Sequence, residues 1–323
     1  MQNISIHNPA KLTFGPGCID QMITDYLAAG KKRIYILSVE PVIERMINRL
    51  GILTKAGVEI KINTSITGEP SFADFERIRD ESDAFDPDSI AGIGGGSVMD
   101  LAKVIAVFTG TGDHIEPFVG NGLIKKRNIN LVCAPTTSGT GSEVSPNSIL
   151  LDEKNGAKKG IISPFLVPDA SYVDPELTLG LPAEPTAYTG IDALTHCIEA
   201  FTNKFAHPLT DVLALEGIRL IANNIENACK NGNDLEARTA LSLGSMYGGM
   251  CLGPVNTAAV HALAYPLGSD YKIAHGLSNA ILLPYVMKFN LGGSSLAKYA
   301  AIANVLDGHR NDPLEVAAAR SVE

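Results

Sequence analysis

No run of lysine and arginine in this sequence exceeds three residues (Lys31–Arg33 and Lys125–Arg127 are the longest), and the 323 residues carry a net charge of −9. Phosphate binding needs a concentrated basic surface, so nucleic acid is not expected as a partner. Cysteines are few: five, at 18, 133, 197, 229 and 251, with no CxxC spacing. An odd, scattered set argues against a disulfide framework and against a zinc knuckle, and fits reduced thiols in the cytoplasm. The opening "MQNISIHNPAKLTFG" lacks the basic stretch and apolar run of a secretory signal. No uninterrupted apolar stretch reaches the ~18 residues of a membrane span. Internal repeats and low-complexity segments are absent as well.

What is present is a mixture suited to buried cores, 45% hydrophobic and 19% charged, in a chain long enough for two domains. The first half alternates strand-like and helix-like segments. "RIYILSV" (33–39) reads as a buried strand, and 41–57 follows with helical spacing and a glycine stop. "VEIKINTS" alternates, "FADFERIRDESDAF" is helical, "SIAGIGGG" runs into a helix, and "NINLVCAPTT" is a further strand. Repeated βαβ units imply a parallel sheet covered on both faces. Past the proline- and glycine-rich stretch 174–190 the patterns turn helical, over 185–203, 208–230, 234–250 and 254–266. An α/β domain over 1–180 and an all-α domain over 181–323 are therefore expected. The last residues, "DPLEVAAARSVE", look like the start of a helix that stops abruptly, as though further C-terminal helices were missing.

Two loops invite a ligand. "GIGGGSVMDLAK" (92–103) joins strand to helix, and its glycines let an anion such as a pyrophosphate approach the free N–H groups of the new helix. It departs from G-x-G-x-x-G, because Ser97 stands where the last glycine belongs. Capping alone also accounts for it, with Ser97 as N-cap and Asp100 completing a near capping box. "PTTSGTGSE" (135–143) lies at a second strand end, where open parallel sheets bind ligands. A plain surface turn is the other reading.

Seven histidines stand at 7, 114, 196, 207, 261, 275 and 309. In "GIDALTHCIEA" Asp192 and His196 are four apart and share one helical face. Such a pair often arises without a ligand. His261, in "TAAVHALAYPLG", and His275, in "YKIAHGLSNAILLP", lie in apolar runs where an unsatisfied imidazole is costly. Satisfied core histidines explain each singly; together with Asp192 and His196 they make a three-histidine, one-carboxylate site plausible. Iron, zinc, nickel and copper all suit imidazole. Cys197 points about 100° away from His196 and is read as packing. His7, His114, His207 and His309 are read as surface residues.

At this point the chain resembles the iron-containing, group III, alcohol dehydrogenases. The likeness rests on "GGGSVMDLAK", "PTTSGTGSEVSP", "VDPELTLGLP", "TGIDALTHCIEA", "VHALAYPLG" and "IAHGLSNAILLP", in that order and spacing. It implies a dinucleotide-binding α/β domain and a helical metal domain, in an architecture like that of dehydroquinate synthase, with the active site in the cleft between. By matching position it implies metal ligands at Asp192, His196, His261 and His275, for Fe2+ or, alternatively, Zn2+. It implies NAD or NADP along Gly94, Gly95, Gly96 and Ser97, with Asp100, Thr136, Thr137 and Lys158 nearby. The implied chemistry is hydride exchange between the nicotinamide and a small alcohol or aldehyde whose oxygen the ion polarises. One carboxylate and three neutral histidines would leave the site positive. A homodimer is suggested by the likeness alone.

Three features depart from the family pattern. Tyr265 stands where many members carry a further histidine four residues after the third ligand, so a proton relay there is in question, although a phenol can donate. Val39, with Glu40 beside it, stands where NAD-preferring relatives often place an aspartate. The chain is also shorter than typical members. Two other readings remain open: a metal-free reductase like maleylacetate reductase, and a lyase of the dehydroquinate synthase group. The lyase would want basic side chains near the metal, for which Lys204 and Lys272 are the nearest lysines in sequence.

Overall fold

Residues 3–308, 310 and 312–322 are described by the structure, a computed structural model; His309 lies outside them. Two compact units are formed, one from 7–137 and 142–178, the other from 3–6, 138–141 and 179–322 among the described residues.

The first unit runs β1 (Lys11–Phe14), α1 (Ile19–Ala28), β2 (Arg33–Leu37), α2 (Glu40–Lys55), β3 (Glu59–Asn63), α3 (Phe72–Phe85), β4 (Ser89–Gly94), α4 (Gly96–Phe108), β5 (Gly120–Asn121), β6 (Asn130–Pro135), β7 (Asn147–Asp152), β8 (Ala157–Ile162) and β9 (Ala170–Val173). Six strands form a sheet in the order β1-β9-β6-β4-β2-β3, with every pair parallel. Strand alternation assigns the two faces. Ile34 and Ile36 pack with Ile23 of α1 and Met46 of α2, whereas Tyr35 and Leu37 pack with Phe75 of α3 and Val104 of α4. Both faces are thus covered, as the uninterrupted apolar strands require. A second, three-stranded sheet, β5-β8-β7, was not legible beforehand.

The alternative reading of Ser97 as a helix cap does not hold. Gly95 is the N-cap of α4 and no side chain caps it. Ser71 and Asp74 make the capping box of this unit, at the start of α3. Asp100 looks elsewhere: it accepts from Ser142 Oγ and from the Ile149 N–H at 2.9 Å. One turn on, Lys103 is fully buried, and its Nζ donates to the carbonyls of Ser145 (3.0 Å) and Asn147 (2.8 Å). These two side chains fasten α4 to the strand β7 and the segment before it.

Beside them Glu143 is 2% exposed, and burial pushes its carboxyl up to about 7 against the pull of its own backbone N–H and of Lys103. A carboxyl raised in the folded state penalises folding only once it ionises. Stability is expected to fall as pH rises from the ordinary 4.5 through about 7, then level off. Glu143→Gln removes that loss, so its stability in urea should exceed the wild type by a few kcal/mol at pH 8 and match it near pH 4.5. A gap independent of pH would show that Glu143 ionises in the fold without cost.

The second unit is helical: α5 (Ala183–Thr202), α6 (Pro208–Lys230), α7 (Leu235–Leu252), α8 (Ala259–Tyr271), α9 (His275–Asn290), α10 (Leu296–Asp307) and α11 (Leu314–Arg320). Ile198, Phe201, Ile218, Ile221, Leu283, Met287 and Tyr299 form its core. The helix expected from 254 begins only at Ala259, because Asn256 adopts a left-handed backbone, φ 71°, between α7 and α8. No helix among the described residues is long and apolar enough to cross a membrane.

Candidate metal centre

Helix α5 carries Asp192, His196 and Glu199 at i, i+4 and i+7, which places all three on one face. That face is buried, and close neighbours line it: a Cβ on Gly248 of α7 would stand 3.2 Å from the His196 Cβ. His261 comes from the first turn of α8, and His275 opens α9.

These residues converge on Asp192. Its Oδ1 lies 3.4 Å from His261 Nε2, 3.5 Å from His275 Nε2 and 4.0 Å from His196 Nε2. Donors about 2.1 Å from a tetrahedral ion stand roughly 3.4 Å apart, so the spacing suits a small divalent ion. Asp192, His261 and His275 each offer a donor atom within 4.8 Å of the others, and His196 stands slightly farther out. The rings of His196 and His261 stack, with centroids 4.5 Å apart.

The far nitrogens of two imidazoles are engaged. His196 Nδ1 lies 3.3 Å from the Gly139 carbonyl, and His261 Nδ1 lies 2.6 Å from Glu199 Oε2. A donating Nδ1–H leaves Nε2 with its lone pair, and in both residues Nε2 is the atom facing Asp192. The loop 138–141 supplies that carbonyl because it is pinned within the helical unit. Ser138 Oγ is 3.0 Å from Ser242 Oγ, and Gly141, at φ +60°, lies so close to Gly249 that a Cβ would meet its Cα at 2.3 Å.

Asn279 belongs to the same cluster. Its Nδ2 donates to Asp192 Oδ1 at 2.7 Å and lies 3.3 Å from His261 Nε2. Its buried Oδ1 has no hydrogen-bond partner, which is costly in a closed core. An orphaned amide oxygen beside one carboxylate and three imidazoles is consistent with a site built around a further group.

The charges of the cluster act strongly on one another. Burial opposes ionisation of Asp192, yet His196, His275 and His261 outweigh it and hold the carboxyl far below the carboxylate range. Burial pushes His196 down to about 4. Burial opposes the charge of His261 as well, but Asp192 and Glu199 prevail and raise it to about 9.

The other expected residues fall as follows. The Tyr265 ring lies parallel to that of His275, 5.9 Å away. Cys197 is buried, with Sγ 3.7 Å from the Gly244 carbonyl. His207 is the N-cap of α6 and accepts from the Leu209 N–H, whereas His114 is exposed and pairs with Glu76. Lys204 lies over the Phe205 ring.

In the first unit β3 lies on one side of β2 and β4 on the other, so the strand order reverses between β2 and β4, the switch point where doubly wound sheets bind ligands. Val39 follows β2 there, and Gly94–Ser97 run from the last residue of β4 into α4. Ser38 Oγ donates to the Ile93 carbonyl at 2.6 Å and ties the two strand ends together. The Thr136 N–H donates to the Gly94 carbonyl, and a Cβ on Gly95 would lie 3.4 Å from Thr137 Oγ1. Gly94, Gly95, Gly96, Thr136 and Thr137 are therefore neighbours. Lys158 on β8 pairs with Glu69, and Asp100 is turned to β7 as described.

Glu199 and Asn279 were missed in the sequence. Glu199 stands inside the quoted "GIDALTHCIEA" at i+7, and that spacing was the available signal.

Residues 9–175 match the model of the iron-containing alcohol dehydrogenase family, and residues 186–322 match the C-terminal model of the Fe-containing alcohol dehydrogenase family. Long-chain-alcohol dehydrogenase 1 of Geobacillus thermodenitrificans is 36% identical over 331 residues, spanning 97% of this chain and 82% of that protein. The NAD-dependent methanol dehydrogenase of Bacillus methanolicus is 30% identical over 318 residues, 96% and 82% of the two chains. Among solved structures, a 1,3-propanediol oxidoreductase superposes with a TM-score of 0.94 at 30% identity, over 99% of this chain and 85% of that one.

Proposed function

The chain belongs to the iron-containing alcohol dehydrogenase family, a family of oxidoreductases, and from that premise we propose that it is a metal-dependent, NAD(H)-linked alcohol dehydrogenase and aldehyde reductase. The observation that carries the metal assignment is the convergence of three Nε2 atoms on the Asp192 carboxylate. Asp192, His196, His261 and His275 would hold a divalent ion, Fe2+ first and Zn2+ second. When bound, that ion would supply Lewis acidity to an alcohol or carbonyl oxygen, and the nicotinamide would supply or accept hydride.

The chain's own residues do the rest. Asp192 brings the negative charge that faces all three Nε2 atoms, and its burial on α5 excludes water from it. Gly139 and Glu199 hold the Nδ1 protons of His196 and His261, so both Nε2 lone pairs stay turned inward. Tyr265, stacked on His275, would bring a phenol, able to donate a hydrogen bond, next to one of the ligands. Gly94–Ser97 would cradle the pyrophosphate, with Thr136, Thr137 and Val39 beside the same strand ends. Glu40, in the first turn of α2, offers a carboxylate suited to an unphosphorylated ribose, which favours NAD over NADP; the Bacillus methanolicus relative is named for NAD. Five free thiols fit a cytoplasmic enzyme.

Family membership sets the lyase reading aside. The metal-free reductase is tested by NADH and NADPH oxidation with a panel of small aldehydes, before and after chelation. Turnover faster with NADH, lost on chelation and restored by Fe2+ or Zn2+ is expected. Turnover untouched by chelation would refute the metal assignment.

A further inference from the structure

Glu199 has a place in this unit that neither its burial nor its helix explains. It sits on α5 beyond His196, 3% exposed, and its carboxylate takes three N–H groups from a segment about sixty residues away. Oε2 accepts from His261 Nδ1 at 2.6 Å and from the Ala258 N–H at 3.0 Å, and Oε1 accepts from the Val260 N–H at 2.6 Å. Helix α8 has Ala258 as N-cap and no side-chain cap of its own. One carboxylate therefore does two jobs. It satisfies the orphan N–H groups at the start of α8, where negative charge is favoured, and it holds the imidazole that projects from that turn.

We propose that Glu199 is a positioning residue of the metal centre, fixing both the nitrogen that His261 presents to Asp192 and the place of α8 against the helix that carries Asp192 and His196. This rests on the metal reading given above. Three of the four ligands are then set by two helices joined through one side chain. A carboxylate on Nδ1–H also makes Nε2 a stronger donor. The centre is accordingly less positive than one carboxylate and three neutral imidazoles imply, since a second buried carboxylate is coupled to it through His261.

Glutamine at 199 cannot reproduce the arrangement. Whichever way its amide is turned, the NH2 group faces a donor: Val260 N–H on one side, or His261 Nδ1–H and Ala258 N–H on the other. The test reconstitutes metal-free wild type, Glu199→Gln and the double variant Glu199→Gln/Ala258→Asp with Co2+. The double variant restores a cap to α8 from an exposed position without restoring the carboxylate on His261. Affinity, the visible ligand-field spectrum and the hyperfine-shifted, exchangeable N–H proton of His261 are read in each. Both variants should bind Co2+ about 10–100-fold more weakly, with a changed spectrum and the His261 N–H resonance lost to exchange. Recovery of wild-type affinity and spectrum in the double variant, or no change in Glu199→Gln, would reduce Glu199 to a helix cap and overturn the proposal. Wild type that takes up no Co2+ would instead overturn the metal reading itself, and this proposal with it.

Discussion

His261→Ala is expected to remove metal and turnover together while dinucleotide binding persists. His261 Nε2 stands 3.4 Å from Asp192 Oδ1, and its Nδ1 holds Glu199. Truncation deletes a donor and leaves a buried carboxylate without one of its two 2.6 Å hydrogen bonds, which raises the cost of keeping the rest of the cluster in place. A Lewis acid contributes several kcal/mol to the transition state, so kcat/KM should fall by roughly three to four orders of magnitude. The residues proposed to hold the dinucleotide all lie in the other compact unit. NADH affinity, followed by fluorescence titration, should therefore stay within about threefold, a change worth under 1 kcal/mol. Full turnover in this variant would rule His261 out as a ligand.

Gly276→Ala should be as damaging although it deletes nothing. Gly276 follows His275 at the start of α9, where the helix rests directly on the backbone of α5. An added Cβ would lie 2.0 Å from the Tyr188 carbonyl oxygen and 2.6 Å from its carbon. A flexible side chain could move aside; a helix backbone cannot, so α9 must shift. The expected cost is about 3 kcal/mol, at the upper end for overpacking. The shift carries His275 away from Asp192, so metal affinity should fall along with the urea midpoint. Gly51→Ala is the control, because nothing lies within 4 Å of the Cβ it would add inside α2, and helix propensity alone predicts no loss there. Equal effects at both positions would show that the α5–α9 contact does not set the site.

How much of this is legible in the sequence depends on the range of the interactions. Helix α3 spans the same residues, 72–85, that its pattern of apolar positions predicts, because capping box and periodicity both act within a few residues. The parallel sheet is legible for a similar reason: β2 and β4 are buried on both faces and read as uninterrupted apolar runs. The capping alternative at Ser97 fails because a serine three residues before an aspartate satisfies the local pattern, whereas tertiary contacts from Ser142 and Ile149 claim Asp100. The small sheet escaped because β5 has two residues and β8, "AKKGII", has no alternation. At the cluster, the i, i+4 pair on α5 and the two histidines in apolar runs were legible from the residues, and the resemblance to a family then implied the same four as ligands. Glu199 went unseen although it stood in the same stretch. Its partners lie beyond residue 257, and no local spacing records a hydrogen bond that only the packing of α5 on α8 creates.

The most direct test is metal stoichiometry combined with X-ray absorption on the purified chain, with Asp192→Asn alongside. One divalent ion per chain, with a scattering pattern of three imidazoles and at least one oxygen, and loss of that ion in Asp192→Asn, is the predicted result. A chain that retains aldehyde reduction with no stoichiometric metal, or whose ion shows no imidazole scattering, would contradict the account.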